Sequence, residues 1–183
     1  MNRKVILETE RLILREMEQS DFTNLAEILQ NPKVMYAYEH DFSEEDVQEW
    51  LDRQMERYRK YGFGLWAVLL KHAGVFSEET VTEKTMIGQA GLTVQPYRDT
   101  EVLEIGYLFK EQFWHHGFAR EAAAACRDYA FEHLGCDKVH PIIKVDNIPS
   151  IRVAEGIGMT REDEFITSYY NGDMKHFLYS LKK

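Results

Sequence analysis

Leu103 to Ala125 reads LEIGYLFKEQFWHHGFAREAAAA. An apolar strand passes through a short loop and opens into a helix whose first residues are Gly117, Phe118 and Ala119. The first N–H groups of a helix have no intrahelical partner, and the helix dipole adds partial positive charge there. A strand, a tight loop and a helix N-terminus therefore form an anion site from backbone alone. Gly117 permits a close backbone approach, and Ala119 keeps the next turn bare. The chemistry implied is binding of a phosphate-bearing ligand.

Elements on either side must position this turn. Val5 to Met17 reads as extended. Ser20-Asp21 offers helix N-caps ahead of Leu25, Ile28 and Leu29, and Asn31-Pro32 is read as the stop. Ser43 with Asp46 opens a second helix through Val47, Trp50, Leu51, Met55 and Tyr58, closed near Gly62. Leu65–Leu70 reads as a buried strand, and 71–85 as a long polar hairpin loop. Strands follow over 86–94 and 103–109, with a turn near Pro96 and Asp99. The helix from Gly117 places Ala119, Ala123, Cys126, Ala130 and Leu134 on one stripe, with Gly135 as its C′ residue. A strand over 138–145, a short helix over 149–155 and a strand pair turning at Asn171-Gly172 complete the pattern. The fold class expected is mixed α/β, with a sheet flanked by helices and 1–183 as a single domain.

Composition narrows the function. The 183 residues suffice for a core, and no apolar run approaches a membrane span. The basic Met1-Asn2-Arg3-Lys4 is not followed by a signal-peptide core, so a cytoplasmic protein is expected. Cys126 and Cys136 fit no metal or redox spacing, so no metal is expected. A net charge of −9 argues against a nucleic-acid binder. It suits either a cationic acceptor or ordinary solubility.

The loop Trp114-His115-His116-Gly117-Phe118-Ala119 resembles the pyrophosphate loop of the GNAT N-acetyltransferases. Trp114, with Glu104-Ile105-Gly106-Tyr107 upstream, is similar to the RimJ/RimL-like branch that acetylates ribosomal-protein N-termini. Three further segments look like that branch in order: Thr9 to Arg15, Asn147-Ile148-Pro149-Ser150 and Glu155 to Met159. The resemblance covers nearly the whole chain. It implies a central, mostly antiparallel twisted sheet, with acetyl-CoA bound where central strands splay.

It also implies roles for residues. Tyr107, Leu108 and Phe109 would pair with the pantetheine arm through their main chain. The N–H groups from His115, His116, Gly117, Phe118, Ala119 and Arg120 would meet the pyrophosphate. His115-His116 departs from the branch, which usually shows Gly and then Lys or Arg. Loss of that glycine puts the loop's backbone freedom in doubt. Trp114 either covers the cofactor or packs beside the loop, with packing favoured. Asn147 and Ser150 suit a helix start; the resemblance sets them against the pantetheine and sulfur, with Ser150 a candidate general acid. Glu104 would be the general base, acting through water, because an ammonium must lose a proton before it attacks. His140 and Glu155 are weaker alternatives.

The acceptor, a ribosomal-protein N-terminal amine or a small-molecule amine, would lie near Tyr36, Tyr38 and Glu39, with Trp50, Tyr169 and Tyr170 as further candidates. A monomer or a homodimer is open. The alternative function is an acyl-CoA-binding sensor or partner-binding module without catalysis. No Walker-type Lys-Ser/Thr follows the glycine, and no Rossmann triple glycine is present.

Overall fold

The structure, a computed structural model, describes residues 4–183. A five-stranded antiparallel sheet runs in the order β1 (Val5–Glu8), β2 (Leu12–Arg15), β3 (Leu65–Leu70), β6 (Met86–Tyr97), β7 (Thr100–Phe109). Between β3 and β6 lies a small hairpin, β4 (Gly74–Phe76) and β5 (Glu79–Val81). A second group of strands comprises β8 (Lys138–Val139), β9 (Ile142–Lys144), β10 (Thr160–Tyr169) and β11 (Gly172–Lys182), all pairing through β11. The helices are α1 (Phe22–Leu29), α2 (Pro32–Met35), α3 (Glu44–Tyr61), α4 (Phe118–Glu132) and α5 (Ile148–Gly156).

β3 shows why the sheet is covered on both faces. All six of its residues are buried. Alternate side chains point to opposite faces of a strand. Trp66, Val68 and Leu70 join a core under α4 with Ala122, Ala123, Cys126 and Ala130. Leu65, Ala67 and Leu69 join a second core under α1 and α3 with Leu25, Ile28, Val47 and Leu51. The result is a helix–sheet–helix sandwich.

Several expectations need correction. The stretch 5–17 is two strands, because Thr9 turns the chain by hydrogen bonding with Leu12. Asp21 does not cap α1 with its side chain; it forms a buried two-pronged pair with Arg15, both contacts at 2.7 Å. The first helix does stop before Asn31-Pro32, as expected, and the same pair also starts a short new one. Asn31 accepts from the Lys33 N–H, and Pro32 stands where no N–H is needed. The 71–85 loop contains the β4–β5 hairpin. The expected strand over 138–145 breaks at His140-Pro141, and α4 ends at Glu132, leaving Leu134 beyond it. The α3 capping box is present as read, Ser43 and Asp46 each taking the other's N–H.

One interruption matters most. β7 touches the second group through a parallel bridge at Glu104 and His140: the Ile105 N–H donates to the His140 carbonyl at 2.8 Å, and the His140 N–H donates to Leu103 at 2.9 Å. Past Pro141, β9 pairs with β11 instead, so β7 and β9 separate. Among the described residues, no helix is long and apolar enough to cross a membrane.

Candidate active site

The separated strands open into a cavity of about 520 Å³, floored by Glu104 to Leu108 and walled by α3, the 36–38 turn, β9, the start of α5 and the β10–β11 turn. Ile105 and Leu103 turn their backbone groups toward His140, so by strand alternation Tyr107 and Phe109 face the same gap. The Phe109 carbonyl already accepts from the Trp114 indole at 2.9 Å. That bond fixes Trp114, which packs between the two cores.

Beyond β7 lies the helix turn. Gly117 caps α4 at φ 81°, and the first intrahelical bond runs from Glu121 N–H to the Gly117 carbonyl. The N–H groups of Phe118, Ala119 and Arg120 thus stay free of intrahelical bonds. His115 takes φ 64°, the left-handed region that a glycine would take without strain. The loop therefore reaches its turn without the glycine, and histidine is among the residues that tolerate this region.

Arg11 clamps the loop. Its guanidinium donates to the His116 carbonyl at 3.0 Å, pairs with Glu121 at 2.6 Å and lies over the Phe118 ring at 4.6 Å. Burial pushes the Glu121 carboxyl up, but hydrogen bonds from Thr9 and Arg11 outweigh it and hold the group below the usual range. From the β4–β5 hairpin, Phe76 meets His116 edge-on at 5.1 Å. His115, His116 and Arg120 are exposed.

Glu104 points into the cavity, opposite Thr93 of β6. The Thr93 hydroxyl donates to it at 2.8 Å, and Gln95 donates to Thr93 at 3.1 Å. Burial pushes its carboxyl up; donors from Thr93, the Ile142 N–H and Gln95, with the charge of Arg57, oppose this, and burial prevails. Asn147 caps α5 by accepting from the Ser150 N–H at 3.2 Å. Ser150, half-buried, lines the cavity, and its carbonyl accepts from the Tyr107 hydroxyl at 2.9 Å. Burial holds the Tyr107 hydroxyl in its protonated form. His140 does not line the cavity; burial pushes its imidazole down. Glu155 accepts from Tyr179 instead.

On the acceptor side, Tyr38, Trp50, Tyr169 and Tyr170 all line the cavity. Tyr38 sits at their centre, edge-on to Trp50 at 6.0 Å and to Tyr169 at 6.1 Å. Tyr36 lies outside, its hydroxyl donating to Asn147 at 2.9 Å. Glu39 is also outside, tied to Lys144 and Asn171. Sequence reading missed Arg53, Gln54 and Arg57, which enter the cavity from α3. Their signal was the spacing of Arg53 and Arg57, four apart and so on one helix face.

Residues 11–160 match the family model described as the acetyltransferase (GNAT) domain. The chain belongs to the GNAT acetyltransferase family. It is 38% identical over 160 residues to the uncharacterized protein YkkB of Bacillus subtilis, covering 87% of each chain. A GNAT acetyltransferase of Bacillus anthracis has the same fold at TM-score 0.76 with 26% identity, covering 96% of this chain and 97% of that one. RimL, a ribosomal L7/L12 alpha-N-protein acetyltransferase solved with coenzyme A, shares the fold at TM-score 0.72 and 16% identity over 98% of both chains. This GNAT enzyme is thus an acetyltransferase of a family that uses acetyl-CoA. The free edge of β7, Gly117 at positive φ and the bare N–H groups of α4 fit that cofactor's arm and phosphates.

Proposed function

We propose that this chain, as one domain over 1–183, moves an acetyl group directly from acetyl-CoA to a primary amine, either a protein N-terminus or a small molecule. The observation that carries the reading is the Glu104 carboxylate on the floor of the cavity, beside the free edge of β7. Bound acetyl-CoA supplies the acetyl group and departs as a thiol. The acceptor arrives as an ammonium and leaves as an amide, so it sheds two protons while a C–S bond breaks and a C–N bond forms. Glu104 takes the first through water and returns it to solvent. Its raised pKa brings it closer to working pH, as a general base requires. The second proton ends on the sulfur, with Ser150 as the candidate donor. Tyr107, Leu108 and Phe109 hold the arm through their main chain; residues 115–120 hold the pyrophosphate.

The alternative, a sensor without catalysis, rests only on the His115-His116 departure; His115 at φ 64°, the conformation a glycine would take, supports the enzyme reading. The test is calorimetric acetyl-CoA binding, followed by thiol release with a panel of amines and ribosomal N-terminal peptides. Binding with acceptor-dependent release supports the enzyme. Binding with no release over that panel would overturn it in favour of the sensor.

A further inference from the structure

The chain's net charge is −9, yet its cavity carries cations on one wall. Arg53 and Arg57 project from α3, four residues apart. Among the described residues neither makes an ion pair, whereas Arg11, Arg15, Arg98 and Arg127 all do. Arg57 is half-buried, and its guanidinium is held by a hydrogen bond to Gln54 Oε1 at 3.1 Å. Gln54 is itself buried and locked, accepting from Leu65 N–H at 3.1 Å and donating to the Trp50 carbonyl at 3.3 Å. A guanidinium taken partly out of water without an anion is costly, and a fixed one is pre-organised for a carboxylate. Glu104 is the opposing charge, but it spends its hydrogen bonds on Thr93 and the Ile142 N–H and makes no ion pair with Arg57.

A carboxylate on the floor and free guanidinium groups on α3 complement a molecule carrying both signs. We infer that the acceptor is an amine bearing its own carboxylate, an α-amino acid with an apolar or aromatic side chain: its amino group faces Glu104, its carboxylate faces Arg57 with Arg53 at the rim, and its side chain lies among Tyr38, Trp50 and Tyr169. This rests on the N-acetyltransferase reading above. Lys144, the other cation of the cavity, is already paired with Glu39 and Asp146 and takes no part.

The experiment measures thiol release from acetyl-CoA with L-phenylalanine and L-methionine against their amides, and with N-terminal peptides. The expected kcat/KM favours the free acids by about tenfold or more, the scale of a charge-assisted pair. Arg57→Gln should erase that preference by raising KM for the acids well beyond any change it makes to the amides, whose turnover shares the Glu104 base that the Arg57 charge acts on. Arg53→Gln, at an exposed position, should reduce it less and guards against a variant that fails to fold. Because acid and amide are compared on one protein sample, a general loss of stability moves both alike. Equal or better turnover of the amides by the parent, a preference that survives Arg57→Gln, or turnover of peptides alone would overturn the inference and leave the N-acetyltransferase reading standing. Acetyl-CoA binding without release from any amine would overturn both.

Discussion

Two arginine–glutamate oppositions stand at two different sites, one beside the α4 turn and one in the cavity, and they are used differently. At the cofactor end, Arg11 and Glu121 are closed on each other at 2.6 Å. Their charges cancel, and what remains to meet an anion is chiefly main chain, the first N–H groups of α4 shaped by Gly117, with the exposed Arg120 side chain beside them. At the acceptor end, Arg57 and Glu104 are held apart across the cavity by separate partners, Gln54 and Thr93. There the charges stay available. A backbone site recognises a cofactor common to a family without depending on side-chain identity, whereas an open pair of charges selects one kind of acceptor.

The sharpest way to break this contrast is to change one end and read the other. Glu104→Gln should lower kcat by about 10²–10⁴, the range for loss of a general base, while acetyl-CoA affinity stays nearly constant. The acid limb of the pH–rate profile should vanish with it. Gly117→Val is the mirror experiment. A β-branched residue at φ 81° carries a left-handed penalty of about 1–2 kcal/mol, relieved only by moving the loop. Acetyl-CoA should bind about tenfold more weakly, with kcat at saturating cofactor little changed. If Gly117→Val lowers kcat as much as Glu104→Gln does, the two ends are not separable.

The same contrast explains what the sequence made legible. The cofactor end lies within one stretch, so its strand, loop and helix could be read together from Leu103 to Ala125. The α3 capping box was equally local. The acceptor end joins Arg57, Thr93, Glu104, Ser150 and Tyr169, and only the fold brings them together. In sequence Arg57 is one charge among many on an amphipathic helix, because its buried support comes from Gln54 and the Leu65 N–H, which periodicity does not report. Glu39 misled for the opposite reason. An acid next to tyrosines looked free for a substrate, but Lys144, 105 positions away, neutralises it. The two prolines show opposite lessons: at Pro32 the helix stops as read but a short new one starts there, whereas the strand read through Pro141 is broken by it.

A smaller effect probes the closed pair. Arg11→Met keeps the stem over Phe118 but leaves Glu121 without its guanidinium. Arg11 is partly exposed, so water screens the pair, and the cost should be about 1–2 kcal/mol. At about 2–4 °C per kcal/mol, the melting temperature falls by about 2–8 °C near neutral pH. The sign with pH follows from Glu121, whose folded pKa is depressed: its contribution is present above the unfolded carboxylate pKa and lost as pH falls through the folded one. The parent and Arg11→Met melting curves should therefore converge in acid. A fall in acetyl-CoA affinity with Arg11→Met would add that the pair also sets the loop's shape.

The smallest effect has the opposite sign and comes from the open pair. The folded pKa of Glu104 is raised, so its contribution to stability is fully present below the unfolded carboxylate pKa and is lost as pH rises through the folded pKa. At working pH the ionised carboxylate is therefore a cost that the fold tolerates. Glu104→Gln removes the ionisation and still offers an oxygen to the Thr93 hydroxyl. The variant should melt about 1–3 °C above the parent at pH 8, with the gap closing toward pH 4. Differential scanning calorimetry across that range reads both the sign and the window. A variant that loses activity while gaining stability would mean that Glu104 is kept at this position against the preference of the fold. A variant that melts lower at every pH would mean that the carboxylate's hydrogen bonds to Thr93 and Ile142 outweigh its burial, leaving both sites electrostatically satisfied.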